Sequence, residues 1–332
     1  MRLIVFLLMA LGFIHFTANA QVDSNGLPIN IEGVPRKVHQ VPVVEIKDPL
    51  AVYEDSLIYF ADSLSIGDEA GKLAAAQYMI RLMRPVLRSK ASFNYPFTRL
   101  KNRINILDTK RKHFRIYNWE YTNNAGDTRY YGVVQFSNGK FYPLIDVASD
   151  VLRTQEDTIL SDKKWFGASY YNIVELETPK GINYYVLGYS QGTANSRKKI
   201  VECFNIIGDS AIVFGAPVFE SPVYKNKLVK RFILEYNTMS AIGCNWDADR
   251  KMIVYDHLES SIGDLKKRYT FVPDGTYDGL TWDGKHWRVS NNVVQFEDFG
   301  KTGAPSDGKP VAPRQFVPQD VPTPTPPPNN RR

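Results

Sequence analysis

The chain has 332 residues, of which 43% are hydrophobic and 13% aromatic, and residues 21–300 are enough for one large or two modest domains. Its formal net charge of +6 includes Arg2 and a net +3 from Lys301 onward, which leaves only +2 for residues 21–300. Nucleic-acid binding requires a concentrated basic face, so we expect no nucleic-acid partner.

The start of the chain has the form of a signal peptide. Arg2 is the charged region, Leu3–Ile14 is a short apolar run, and Ala18-Asn19-Ala20 has the small-x-small pattern of a cleavage site. We therefore expect cleavage between Ala20 and Gln21, and export to the periplasm or the cell surface. The apolar run is shorter than the roughly 20 residues that span a bilayer. No later run reaches that length, so no transmembrane segment is expected in the mature chain.

Residues 21–50 show no periodicity and are predicted to be an extended lead-in. Over residues 51–103 the apolar positions recur every three or four residues, which predicts a helical hairpin. Pro85 is expected to kink or end the second helix early. The predicted apolar faces contain Leu57, Ile58, Ala61 and Leu64 in the first helix, and Leu73, Ala76, Ile80, Met83 and Leu87 in the second.

From about residue 104 the period changes to two, which predicts β-strands up to residue 300. The first three runs, His113–Tyr121, Thr128–Phe136 and Lys140–Leu144, form a predicted meander with an Asn138-Gly139 turn. Further runs follow with short connections and no interleaved helices. The expected fold class is α+β, an N-terminal helical hairpin followed by a large antiparallel β-meander that is sandwich or barrel-like.

One motif suggests catalysis. Gly188-Tyr189-Ser190-Gln191-Gly192 spells G-x-S-x-G, the nucleophile elbow of serine hydrolases, which requires a helix directly after the serine. Here Thr193–Lys199 has no apolar stripe, and Ile200–Ile207 is strand-like. The pattern therefore favours a polar hairpin connection over Gly188–Ser196.

A secreted serine hydrolase, an esterase or a peptidase, is the alternative function. Its triad would combine Ser190 with Asp256 and His286, and Asp247 and His257 fit the same order in the chain. Many acids are available, so this order is a weak constraint. The leading prediction contains no catalytic residues.

Metal and cofactor signals are equally weak. Asn245, Asp247 and Asp249 match the first ligand positions of an EF-hand-like loop, but Arg250 stands where that loop needs glycine. A hairpin turn is favoured over a calcium site. The chain has no H-E-x-x-H motif, no Walker loop and no G-x-G-x-x-G after a strand, so no cofactor is predicted.

Two cysteines, Cys203 and Cys244, lie in or beside predicted strands. In an exported chain they could form a disulfide, and two buried free thiols explain the sequence about as well.

The aromatic residues near the end of the β region are candidates for partner binding. Thr276–Trp287 resembles an Asp-box hairpin but is one residue short, and no second copy occurs. Its Asp-Gly pairs, and Asp274-Gly275 before them, are better explained as turns. Tyr277, Trp282 and Trp287 could stack on a sugar ring or a partner peptide, while the alternative places such rings on a half-buried sheet.

The chain ends in a proline-rich segment. From Lys301 onward it contains 9 of the 20 prolines, and such a composition favours extended conformations over a packed core. We expect a disordered tail over residues 301–332.

Several runs together resemble a known family. They are I-Y-N-W at Ile116–Trp119, V-F-G-A-P at Val213–Pro217, M-I-V-Y-D-H-L at Met252–Leu258 and P-D-G-x-Y-D-G at Pro273–Gly279. The stretch from about Ser92 to Trp287 is similar to uncharacterised exported proteins of Bacteroidota-type Gram-negative bacteria. The resemblance implies an envelope or secreted location and supplies no catalytic residues. Because no coherent catalytic site emerges, the strands are rich in aromatic residues and the tail could act as a tether, the expected function is non-enzymatic, the binding of an unknown envelope protein or glycan.

Overall fold

The computed structural model describes residues 48–147, 155–208, 211–224 and 226–294, all within the unit Lys47–Arg332. Three predictions lie outside the described residues. They are the signal peptide with its Ala20–Gln21 cleavage site, the lead-in up to residue 47, and the proline-rich tail.

Two helices open the described chain, α1 over Pro49–Ser63 and α2 over Glu69–Arg88. Each begins at an aspartate cap. The Asp48 carboxylate accepts the Leu50 N–H, and the Asp68 carboxylate accepts the Gly71 N–H, both at 2.8 Å. The helical segment therefore starts two residues earlier than predicted, because Pro49 is well tolerated in a first turn.

The sequence predicts that Pro85 kinks the second helix or ends it early, and the early end is wrong, since α2 continues to Arg88. Proline removes one backbone donor, and here that loss falls in the last turn. Val86 and Leu87 directly after it are buried and pack against the sheet beside the helices. Their burial holds the final turn in place.

Three sheets follow α2. The helix-side sheet contains, in order, β1 Asn105–Asp108, β2 Phe114–Thr122, β3 Thr128–Phe136 and β4 Phe141–Ile145. The middle sheet contains β5 Leu160–Ser161, β6 Ser169–Thr178, β7 Gly181–Gln191, β8 Ser196–Ile207, β9 Ala211–Phe214 and β12 Arg231–Asn237. The outer sheet contains β10 Phe219–Glu220, β11 Leu228–Val229, β13 Cys244–Asp247, β14 Met252–Ser260, β15 Phe271–Trp282 and β16 Trp287–Ser290.

Strand pairing is antiparallel throughout these sheets except between β10 and β16, which run parallel. In the middle sheet the order is β5-β9-β8-β7-β6, and β12 pairs with β8 beyond the end of β9. In the outer sheet the order is β11-β10-β16-β15-β14-β13. The sheets formed by the described residues are open at their edges. Of the two predicted arrangements, sandwich-like and barrel-like, the described fold is therefore the sandwich-like one.

The sheets stack because alternate residues of one strand enter different cores. In β2, Phe114 and Ile116 pack toward the middle sheet, whereas Tyr117 and Trp119 pack toward the helices. In β7, Val186 and Leu187 enter the cores on opposite faces of the middle sheet. The described residues therefore form four layers, the helix pair, the helix-side sheet, the middle sheet and the outer sheet.

Two predicted turns are confirmed. Asn138-Gly139 connects β3 to β4, with Gly139 at φ +86°. Residues 248–251 connect β13 to β14 as a hairpin. Within the described part of the chain, neither helix has the length and apolar character that crossing a membrane would need.

Candidate functional site

A cleft of about 380 Å³ opens beside the outer sheet, and we call it the polar cleft. Its polar lining includes Glu220, Ser221, Glu235, His257, Arg268 and Asp278. Apolar side chains such as Leu234, Tyr255 and Phe271 complete the wall. Its volume falls in the range of about 300–1,000 Å³ that is usual for small-molecule sites.

A bulge positions His257 at this cleft. The β14–β15 register passes from Asp256↔Tyr277 to Leu258↔Pro273, so three residues of β15 lie opposite His257 alone. Those residues are Asp274, Gly275 and Thr276. Asp274-Gly275 has the turn chemistry that the sequence predicts, with Gly275 at φ +91° and the Asp274 carboxylate accepting the Thr276 N–H at 2.8 Å, but it forms a bulge within β15 and does not separate two strands. Bulges of this kind redirect side chains and are frequent beside binding sites.

His257 and Asp278 form a hydrogen-bonded pair in the cleft. The Nδ1–Oδ2 distance is 2.7 Å, and Asp278 is buried while the His257 side chain is 40% exposed. The other Asp278 oxygen accepts the Asn292 N–H at 3.1 Å. In the neutral ring Nδ1 is thus the donor, and Nε2 is an acceptor with no partner among the described residues.

The charge environment favours protonation of His257. Burial opposes the charged ring, but the hydrogen bond that His257 donates to Asp278 and the negative charges of Asp278, Asp274 and Glu259 outweigh it and raise the pKa of His257. Because folding raises this pKa, the stabilisation from the pair is present at low pH. It is lost as the pH rises through the folded-state pKa.

Asp278→Asn is expected to lower the pKa of His257. Asparagine preserves the shape of the side chain but removes the charge that stabilises the protonated ring, while the burial of the ring remains. The measurement is an NMR titration of the His257 ring protons between about pH 5 and pH 8. Asp249→Asn, which changes an exposed carboxylate of the β13–β14 turn, should leave the titration unchanged. An unchanged His257 titration in Asp278→Asn would contradict the pairing.

Two further carboxylates of the cleft are held in place by one oxygen each. Glu220 accepts the Val289 N–H at 3.0 Å, and Glu235 accepts the Ser196 hydroxyl at 2.5 Å. Among the described residues, the second oxygen of each has no hydrogen-bond partner. The cleft thus offers fixed acceptors on two carboxylates, and on His257 Nε2 when the ring is neutral.

The G-x-S-x-G serine lies elsewhere. Ser190 is in β7, pairs with Lys198 of β8, is fully buried, and donates its hydroxyl to the Gly167 carbonyl at 2.8 Å. The predicted hairpin connection is too long, since only residues 192–195 lie between the strands. Gly188 is needed inside the sheet, because a Cβ there would lie 2.9 Å from the Tyr170 ring.

The proposed triad is not brought together. Asp256 lies on β14, where its carboxylate accepts the Gly243 N–H at 2.6 Å. His286 lies in the β15–β16 turn beside Asp283. Over the described ranges, no hydrogen bond links either residue to Ser190. Ser190 also lies in another sheet and has no exposed surface, so it is not placed to act as a nucleophile.

The calcium alternative fits no better. The Asn245 side-chain oxygen Oδ1 accepts a hydrogen bond from the Asn172 side-chain amide Nδ2, and the Asp247 carboxylate accepts the Arg250 backbone N–H while pairing with the Arg250 guanidinium. These contacts stabilise a hairpin turn. In the part of the chain that the structure describes, no group of three or more His, Cys, Asp or Glu residues could hold a metal ion.

Both cysteines are buried free thiols in the structure, which corresponds to the second of the two alternatives. Cys203 lies on β8 of the middle sheet and Cys244 on β13 of the outer sheet, within the same core. Burial raises the pKa of Cys203 and raises that of Cys244 to about 12. Both side chains therefore remain protonated and act as small apolar residues.

The three candidate aromatic residues differ in access. Trp287 is fully buried between sheets, with its ring 5.1 Å from Tyr185 and 5.5 Å from Trp282, so it is not available to a partner. Tyr277 and Trp282 are half-buried. Strand alternation placed these rings on a sheet but could not indicate which face another sheet covers.

Comparisons with protein-family models, with curated proteins and with solved structures find no match to this chain. Sequence reasoning also missed the pairing of His257 with Asp278 and the roles of Glu220 and Glu235. The one available signal was the recurrence of Asp-Gly pairs in β15, a strand where such pairs are unusual and mark a bulge.

Proposed function

We propose that the protein is an exported cell-envelope protein of the periplasm or the cell surface, and that it binds a glycan in the polar cleft. The observation that carries this proposal is the set of fixed acceptors in one concave site. Glu220 and Glu235 each present an acceptor atom without a partner among the described residues, and His257 presents its Nε2 atom, which accepts in the neutral ring and donates in the protonated ring. Sugar hydroxyl groups donate hydrogen bonds to such acceptors.

The charges of the cleft favour a neutral or basic sugar over an acidic one. Three carboxylates line it, and the cationic Arg268 is already paired with Glu156. A ligand carboxylate or phosphate would meet like charge there, whereas hydroxyl and amino groups would not. The export signal and the family resemblance, which remain expectations from the sequence, place such a protein where envelope glycans occur.

A non-enzymatic role is favoured by what surrounds His257. Nucleophilic catalysis would require a hydroxyl or thiol hydrogen-bonded to the imidazole. No described serine, threonine or cysteine makes that bond. Ser221, which shares the cleft, instead accepts the backbone N–H groups of Val223 and Tyr224.

The test is a glycan array followed by calorimetry on the sugar that binds best. Wild-type protein should bind a neutral or amino sugar, and Glu235→Gln and His257→Gln should each weaken that binding by about tenfold or more. Asp249→Asn, which changes an exposed carboxylate of the β13–β14 turn outside the cleft, should bind as wild type does.

Two results would contradict the proposal. One is an array without binding, or binding that the cleft variants leave unchanged. The other is covalent labelling by a fluorophosphonate probe that Ser190→Ala abolishes, which would support the serine hydrolase instead.

A further inference from the structure

A second concavity lies between α2 and the helix-side sheet, and it is independent of the polar cleft. We call it the apolar groove, and its volume is about 640 Å³. Its apolar lining includes Leu73, Ile80, Met83, Phe141, Leu144 and Ile145.

The groove exposes large apolar side chains that the sequence pattern predicts to be buried. Leu73 and Ile80 belong to the expected apolar face of α2, yet they are 42% and 47% exposed. Ile145 on β4 is 46% exposed. The helix packs on the sheet through Met79, Met83 and Val86 instead. Three exposed aliphatic side chains around one concavity are typical of a binding site.

The rim of the groove is basic. Arg84 and Arg129 line it, both are exposed, and neither has an ion-pair partner among the described residues. Asp146 is the acidic residue of the lining, and its carboxylate is engaged by the Tyr130 N–H at 3.0 Å. A ligand with an apolar body and an anionic end would therefore satisfy both parts of the site.

The lining of the groove also contains a hydrogen-bond donor, the Trp119 indole N–H, that has no acceptor among the described residues. Trp119 is 5% exposed and stacks on Tyr131, with ring centroids 5.7 Å apart. Its indole N–H is buried and has no hydrogen-bond partner in the described chain. Buried donors are nearly always paired in folded proteins, and this one, in the lining of the groove, is available to an acceptor atom of a bound ligand.

We propose that the apolar groove binds a single-chain amphiphile with an anionic head group, such as a long-chain fatty acid. The acyl chain lies against Leu73, Ile80 and Ile145, and the carboxylate pairs with Arg84 or Arg129. A peptide that extends the sheet is disfavoured, because the groove-side edge strand β4 carries Pro143, which lacks the N–H for pairing. The volume also suits a small molecule better than a folded partner.

The test uses the full mature chain and dansyl-labelled undecanoic acid as the probe. We expect saturable, blue-shifted probe fluorescence that dodecanoate displaces at least about tenfold more effectively than dodecanol or dodecyltrimethylammonium does. The double variant Arg84→Gln/Arg129→Gln should weaken probe binding by about tenfold or more. Arg88→Gln, an exposed arginine of the same helix outside the groove, should not.

Ile80→Asn tests the apolar part of the site, with Ile66→Asn as its matched control because Ile66 is exposed and lies outside the groove. Only Ile80→Asn should weaken binding, and circular dichroism should show both variants folded. Absence of saturable binding, equal displacement by dodecanol, or insensitivity to the Arg84 and Arg129 changes would overturn the proposal. Preference for an acidic amphipathic peptide over dodecanoate would overturn it in favour of a protein partner.

Discussion

Replacing Arg231 by methionine is expected to destabilise the fold by about 3–5 kcal/mol. Arg231 and Glu202 are both fully buried in the middle sheet, and their Nε–Oε2 distance is 2.5 Å. Methionine would fill most of the space but would leave the Glu202 charge without its partner. An uncompensated buried charge is among the most costly defects that a single substitution can create.

The pair is part of a larger buried network. The other Glu202 oxygen accepts the Tyr170 hydroxyl, which in turn accepts the Trp165 indole N–H at 2.8 Å. The guanidinium of Arg231 also lies over the Phe166 ring, 4.8 Å from its centroid. Burial raises the pKa of Tyr170 well above its ordinary value, so this hydroxyl stays a neutral donor to Glu202.

Urea unfolding is the measurement, and two comparisons make it specific. The double variant Arg231→Met/Glu202→Gln should recover part of the lost stability, because it removes both charges. Arg250→Met breaks a solvent-exposed ion pair with Asp247 and should cost much less. If Arg231→Met costs no more than Arg250→Met does, the network does not have the role proposed for it.

Phe114→Ala is expected to cost about 3–5 kcal/mol, because it opens a cavity between two layers of the stack. Phe114 is fully buried and projects from the helix-side sheet toward the middle sheet. Its ring stacks on Phe204 at 4.5 Å and meets the edge of Tyr184 at 4.9 Å. These contacts join the two sheets.

Phe136→Ala provides the matched control. Phe136 pairs with Phe114 across β2 and β3 but is only partly buried, so its removal should cost less. Urea unfolding gives the free energies, and near-ultraviolet circular dichroism reports the aromatic packing. Equal costs for the two variants would contradict the central position of Phe114 between the sheets.

The proposed binding sites differ in how visible they are in the sequence. The recurrence of apolar residues every three or four positions was enough to predict helix α2 and an apolar stripe along it. This pattern does not predict that Leu73 and Ile80 are exposed, because their exposure depends on how far the sheet extends beneath the helix. The same limit applies to Trp287, whose burial requires a facing sheet.

The pairing of His257 with Asp278 could not be predicted from the sequence, for a different reason. His257 and Asp278 lie 21 positions apart, and the bulge at Asp274–Thr276 sets which residue of β15 faces His257. A shift of one residue would turn Asp278 to the other face of the strand. The sequence therefore contained both partners without indicating that they meet.

Local chemistry was sufficient for the helix pair, the β2–β3–β4 meander and the turns at Asn138-Gly139 and after Asp247. Each of these depends on the residues within it, through caps, alternation and turn preferences. Only the tertiary structure decided that Ser190 is buried in a strand, that the cysteines remain free, and that a polar cleft and an apolar groove exist. Those outcomes depend on which layers cover which faces, and stacking brings together residues that no local pattern relates.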